Sequence, residues 1–202
     1  MSQHPHRLQR LTVMLCLVVA ARVSADTLED YAAKVAPLID PAKLATLSEK
    51  AANPRVQKYT VWLETARRDN VNPTNVVSAA LVAVGMTNKL AAEVTKTVML
   101  RNLKIATELG CFDDEGMGDM RRGQSPTIRR GPYKGQELTV DHIIPRAVAP
   151  ELDNVIANLE LLPWELNAKK GTKFGQRQRD LARKLFGAEL LSPEGWRRLR
   201  TL

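Results

Sequence analysis

The sequence predicts an α+β protein: a mainly helical first half, then a small strand–strand–helix unit, then two further helices. Three observations carry that prediction. Between Asp26 and Gly110, capping residues stand before proline at Asp40-Pro41, Asn53-Pro54 and Asn72-Pro73, a signature of helix starts. In the same region apolar side chains recur three and four apart, as in Val56, Tyr59, Leu63 and Ala66, which suits helices with one buried face. Beyond residue 136 the text changes to short β-type runs, Glu137 to Val140 and Asn158 to Leu162, separated by a stretch rich in Pro, Asp and Asn.

Taken in order, residues 1–25 read as a secretory signal peptide. Arg7 and Arg10 precede an apolar run from Leu11 to Ala21, and Val23-Ser24-Ala25 offers small residues for cleavage. The run is about half the roughly 20 residues needed to span a bilayer. Residues 26–110 form the helical region, whose longest helix is expected from about Asn88 to Leu109, ending at Gly110. Residues 111–135 lose periodicity and read as a long loop. It opens on the acidic cluster Asp113, Asp114, Glu115 and Asp119, expected to form a solvated turn, and continues through Arg121, Arg122, Arg129, Arg130 and Lys134. Residues 136–202 hold the first strand, an irregular loop over 146–157, the second strand, a helix started by Pro163, a basic amphipathic helix from about Gln176 to Phe186, and a last helix begun by Ser192-Pro193.

Charge and cysteine content narrow the function classes. Removal of residues 1–25 leaves 27 Lys and Arg against 22 Asp and Glu, a net charge of +5 with no predicted membrane span. The excess is concentrated. Arg121 to Lys134 carries five basic residues and no acid, and residues 166–202 carry ten basic against three acidic. A polyanion is the expected partner, with Arg129, Arg130 and Lys134 contacting phosphates. With Cys16 gone only Cys111 remains, so neither an intramolecular disulfide nor a zinc site of paired cysteines can form. Cys111 is expected to be an inert or partly exposed thiol.

With His4 and His6 in the expected signal peptide, His142 is the one histidine left. It lies in Val140-Asp141-His142-Ile143-Ile144-Pro145, followed by Asn158-Leu159-Glu160-Leu161-Leu162 and by Asn167-Ala168-Lys169-Lys170-Gly171. A carboxylate beside an imidazole, with two amides further on, suits one divalent metal and one general base, the requirement for phosphodiester hydrolysis.

This pattern, Asp-His-Ile-x-Pro, Asn-Leu-x-x-Leu and Asn-x-x-Lys-Gly in that order, resembles the HNH endonuclease family, whose core is the ββα-metal fold. The resemblance covers about Val140 to Gly171. It implies that His142 is the general base, that Asp141 and Asn167 are metal ligands, and that Asn158 ties down the loop between the strands and so orients the histidine. It also implies products with 5′-phosphate and 3′-hydroxyl ends. Many family members carry two Cys-x-x-Cys pairs for a structural zinc. Here Pro163 and Leu166 take those places, so Trp164 and Leu166 are expected to supply core packing instead. The last motif position is often histidine. Asn167 there is a harder, weaker ligand, which favours Mg²⁺ or Mn²⁺ over zinc. Lys170 and Arg146 are the nearest basic groups and are candidates to hold a phosphate.

The expectation is an exported, metal-dependent HNH-type endonuclease, periplasmic or extracellular, acting on DNA or RNA with a single divalent ion. Two readings of other classes stay open. One is a non-catalytic nucleic-acid-binding module that retains the fold, and the other is a helical interaction protein whose motif is coincidental.

Overall fold

The computed structural model describes residues 26–202; the expected signal peptide, with His4, His6 and Cys16, lies outside them. The described chain is α+β. Its helical first part comprises α1 (Leu28–Ile39), α2 (Pro41–Ala45), α3 (Asn53–Arg68), α4 (Pro73–Ala83), α5 (Lys89–Glu108) and α6 (Asp114–Arg122). Strands β1 (Leu138–His142) and β2 (Leu159–Pro163) follow, then α7 (Trp164–Lys170), α8 (Gln176–Gly187) and α9 (Pro193–Leu199). No helix of the described residues is long and apolar enough to cross a membrane.

Local capping sets most helix starts. Thr27 and Asp30 form a capping box on α1, Asp40 accepts from Ala42 N at α2, and Asn72 accepts from Thr74 N at α4. Asn53-Pro54 behaves differently from its two counterparts. The helix begins one residue early, so Asn53 is its first residue and Ala52 stands at the cap with no side chain to offer. The N–H groups that Asn53 would cap, those of Arg55 and Val56, donate to Ala52 O instead, and Ala52 is itself held by Asn154 Oδ1, which accepts from its N–H at 3.1 Å.

Asn88 caps the long central helix α5 through Leu90 N and Ala91 N, and Gly110 follows its end at φ +70°. A Cβ on Gly110 would sit 2.9 Å from Arg130 Cγ, so both conformation and space require glycine.

Residues 111–135 are not the expected loop. They contain α6, capped by Asp113, which accepts from Gly116 N, and closed by Gly123 at φ +79°. The helix packs on α3 and buries Gly116, Met117 and Met120, whose two apolar side chains at i, i+3 are too sparse to read as periodicity. The acidic residues therefore cap and line a helix rather than a solvated turn. Beyond α6, Ile128 is fully buried, and the N–H groups of Arg129 and Arg130 both donate to Leu109 O. Cys111 is likewise fully buried, and burial first, then Asp113, pushes its thiol up to about 12. It is inert, not partly exposed.

The strands pair antiparallel, Thr139 opposite Leu162, Asp141 opposite Glu160 and His142 opposite Leu159. Alternation puts Leu138, Val140, Leu159 and Leu161 on one face, where they join the same core as Tyr31, Val56, Tyr59, Leu63 and Met99. One hydrophobic core thus runs through the first helices and the sheet. Asn102 of α5, fully buried, stitches them: its Nδ2 donates to Tyr59 Oη and Leu159 O, and its Oδ1 accepts from Leu161 N. The expected packing by Trp164 and Leu166 does not occur. Trp164 is 59% exposed and Leu166 half-buried, because the helical layer already covers the apolar face of the sheet. A second cluster, including Val94, Ile144, Leu152, Leu185 and Leu199, holds α8 and α9 under the β1–β2 connection.

Glu64 of α3 is a buried carboxylate, 1% exposed, gripped by Arg67 at 2.8 Å and Arg68 at 2.8 Å, while Arg68 also donates to Phe112 O ahead of α6. Burial pushes its carboxyl up, but the two guanidinium groups outweigh it and hold the net value below 4.5. A depressed carboxyl stabilises the fold above its unfolded value, and that contribution is lost as pH falls through the folded one. Glu64→Gln should therefore cost about 1–3 kcal/mol at pH 7, with the two proteins converging as pH falls through the lowered carboxyl value. Thermal unfolding at pH 7 and pH 3 checks this; an equal gap at both would reject the assignment.

Candidate active site

The free edge of β1 meets the start of α3 and the inner side of α7 in a cleft of about 270 Å³ whose walls include Asp141, His142, Asn167, Arg146, Lys50 and Asn53. Strand alternation places Thr139 and Asp141 on the face opposite the core, where α7 lies. Asn167 and Lys170, three apart on α7, reach that face together. Asn167 Nδ2 donates to Thr139 Oγ1 at 3.1 Å, and Lys170 Nζ sits 2.7 Å from Asp141 Oδ2 while donating to His142 O.

His142 ends β1 and is 8% exposed. Its Nε2 lies 2.9 Å from the backbone carbonyl of Asp153, which takes the hydrogen bond, and 2.9 Å from Asp153 Oδ1, which lies outside hydrogen-bonding angles. Both neighbours are acceptors. Nε2 is therefore the donor, and in the neutral ring Nδ1 keeps the lone pair a base requires. Asp153 is held in turn by the helical layer: Lys50 N donates to its Oδ2 at 3.1 Å, and Asn154 Nδ2 donates to Leu47 O and Ser48 O. In the sequence Asp153 is one residue of the irregular loop over 146–157. The partner of its carboxylate, Lys50 N, lies 103 residues away, and nothing in the local text marks it.

The β1–β2 connection contains two single turns of 3-10 helix, Pro150–Leu152 and Ile156–Asn158. Asn158 is fully buried and binds the connection to itself. Its Oδ1 accepts from Ile144 N at 2.8 Å, and its Nδ2 donates to Ile144 O at 3.0 Å and Leu152 O at 3.3 Å.

Asp141 is 7% exposed, and burial pushes its carboxyl above the ordinary range. Lys170 pulls the other way, and the neighbouring Glu160 across the ladder adds to the rise. Glu160 is itself fully buried and answered by Arg101 at 2.7 Å and by Arg177. Asp141 Oδ2 has no partner in hydrogen-bonding geometry despite the nearby ammonium. A buried carboxylate with one oxygen so placed favours the approach of positive charge.

A divalent cation suits these donors. Asn167 has its amide nitrogen engaged, which leaves Oδ1 open to a cation, and an all-oxygen pair with Asp141 would match Mg²⁺ or Mn²⁺. Among the described residues no group of three or more His, Cys, Asp or Glu surrounds one point. A cation at Asp141 and Asn167 would thus keep most of its shell for water and substrate oxygens.

The basic residues divide. Arg146 lines the cleft and pairs with Glu49 at 2.6 Å. Arg129 pairs with Asp113 at 2.6 Å and with Glu115, linking α6 to the segment after it, and a phosphate there would exchange for these exposed carboxylates. Lys170, also expected at phosphate, is turned onto Asp141 instead, the nearest buried negative charge. Arg130 and Lys134 are exposed and make no ion pair among the described residues.

No family model matches this chain, and neither curated proteins nor solved structures give a match to it.

Proposed function

We propose that the chain is an exported, metal-dependent HNH-type endonuclease that hydrolyses phosphodiester bonds in DNA or RNA. The observation carrying this reading is the convergence of Asp141, His142 and Asn167 on one cleft, with the imidazole held through Nε2 by Asp153, which in the neutral ring leaves Nδ1 its lone pair. The order strand, long connection, strand, helix supports a ββα-metal core, and the apolar run within residues 1–25 supports export.

In this mechanism His142 Nδ1 takes the proton of the attacking water while Asp153 keeps Nε2–H directed away from it. Asp141 and Asn167 would hold the cation, which when bound supplies charge neutralisation at the phosphate and at the departing 3′-oxygen. Asn158 keeps the connection closed so that Asp153 stays on the imidazole. Arg146 is placed to meet a flanking phosphate at the cleft mouth, exchanging Glu49 for it.

The purified protein should nick supercoiled plasmid in Mg²⁺ or Mn²⁺ and stop when the metal is chelated. Asp141→Ala should weaken Mn²⁺ binding at least about tenfold by calorimetry and lose nicking with it. Salt-sensitive DNA binding without cleavage in any metal would instead favour the non-catalytic module.

A further inference from the structure

We infer that Lys170 is a resident cation at the metal position, which holds Asp141 in the metal-free protein and must leave Asp141 Oδ2 for a divalent ion to bind. This rests on the metal-dependent reading above. The ammonium lies 2.7 Å from Oδ2, and both side chains are largely buried, 13% and 9% exposed. A Mg²⁺–oxygen bond is about 2.0–2.1 Å, so ammonium and metal cannot occupy that side of the same oxygen together. Two positive charges at such separation also repel strongly where water is scarce.

The geometry allows the exchange without moving the helix. Lys170 is the last residue of α7, with Gly171 following at φ +52°, and its flexible four-carbon stem can swing while the backbone keeps Asn167 in place one turn earlier. Its second tie, to His142 O, keeps the displaced ammonium at the cleft, where it can meet substrate phosphate. Lys170 is thus a positioning residue that sets metal affinity by competition and links metal entry to release of a phosphate-binding charge. The two events are reciprocal: whatever holds the ammonium away from Asp141 tightens the metal, and metal makes the ammonium available.

The test is Mn²⁺ binding by calorimetry to the wild-type protein, Lys170→Met, Lys170→Gln and Lys170→Arg, with circular dichroism confirming folding. Lys170→Met and Lys170→Gln should bind Mn²⁺ about tenfold more tightly, whereas Lys170→Arg, which keeps the charge, should stay near wild type. Mn²⁺ should also raise the melting temperature more in Lys170→Met, where the buried Asp141 charge is otherwise unanswered. A structural support would not tighten metal binding when removed. Equal or weaker Mn²⁺ binding by Lys170→Met and Lys170→Gln, with the wild type still nicking plasmid, overturns the competition while leaving the nuclease reading intact. A wild-type protein that neither binds Mn²⁺ nor nicks overturns both.

Discussion

Replacing His142 with alanine is expected to lower plasmid nicking by about two to four orders of magnitude while leaving Mn²⁺ affinity within about twofold of wild type. The split follows from the geometry. The imidazole is bound by Asp153 and not by either proposed metal ligand, so its loss removes the proton acceptor but leaves Asp141 and Asn167 in place. The cavity left beside Asp153 should admit free imidazole, and partial recovery of nicking in imidazole buffer would identify the missing function as proton transfer. Near-normal turnover in His142→Ala would remove the residue from the mechanism, whatever the metal dependence.

Asn158→Ala should have the largest effect on the fold, a loss of about 3–5 kcal/mol in urea unfolding, because it leaves the N–H and the carbonyl of Ile144 without partners in a fully buried place and takes one of two donors from Leu152 O. Activity should fall with it even where the protein remains folded. The connection that Asn158 closes carries Asp153, and Asp153 both orients His142 and anchors to Lys50 N. Asn158→Asp is a useful companion: it retains an acceptor for Ile144 N but cannot donate to Ile144 O or Leu152 O, and it buries a charge. A loss below about 1 kcal/mol in Asn158→Ala would show that the loop closes without this amide.

Much of the element pattern was legible because it is written locally. The limits of α5 follow from Asn88 at its start and Gly110 after its end, and β1, α8 and α9 lie within a residue or two of where pattern and caps put them. Those signals act over a few residues, the range over which capping and periodicity operate. The failures share an opposite origin. α6 shows only two buried methionines and owes its place to α3, Asn53 yields the cap to Ala52, which Asn154 holds from the far side of the chain, and Trp164 is left outside because helices had already filled the space beneath the sheet.

The candidate site divides in the same way. Sequence spacing by itself determined which residues could do chemistry: a carboxylate beside an imidazole on one strand, an amide at the head of the next, and an amide and a lysine three apart on the following helix. Only the tertiary structure decided what each one touches. It put Asp153 on the imidazole, fastened Asp153 to a backbone N–H 103 residues earlier, paired Arg129 with Asp113, and turned Lys170 onto Asp141. The physical reason is that a charge or a buried polar group takes whichever partner packing brings within about 3 Å, and that packing depends on how α3, α5 and the sheet close over one core.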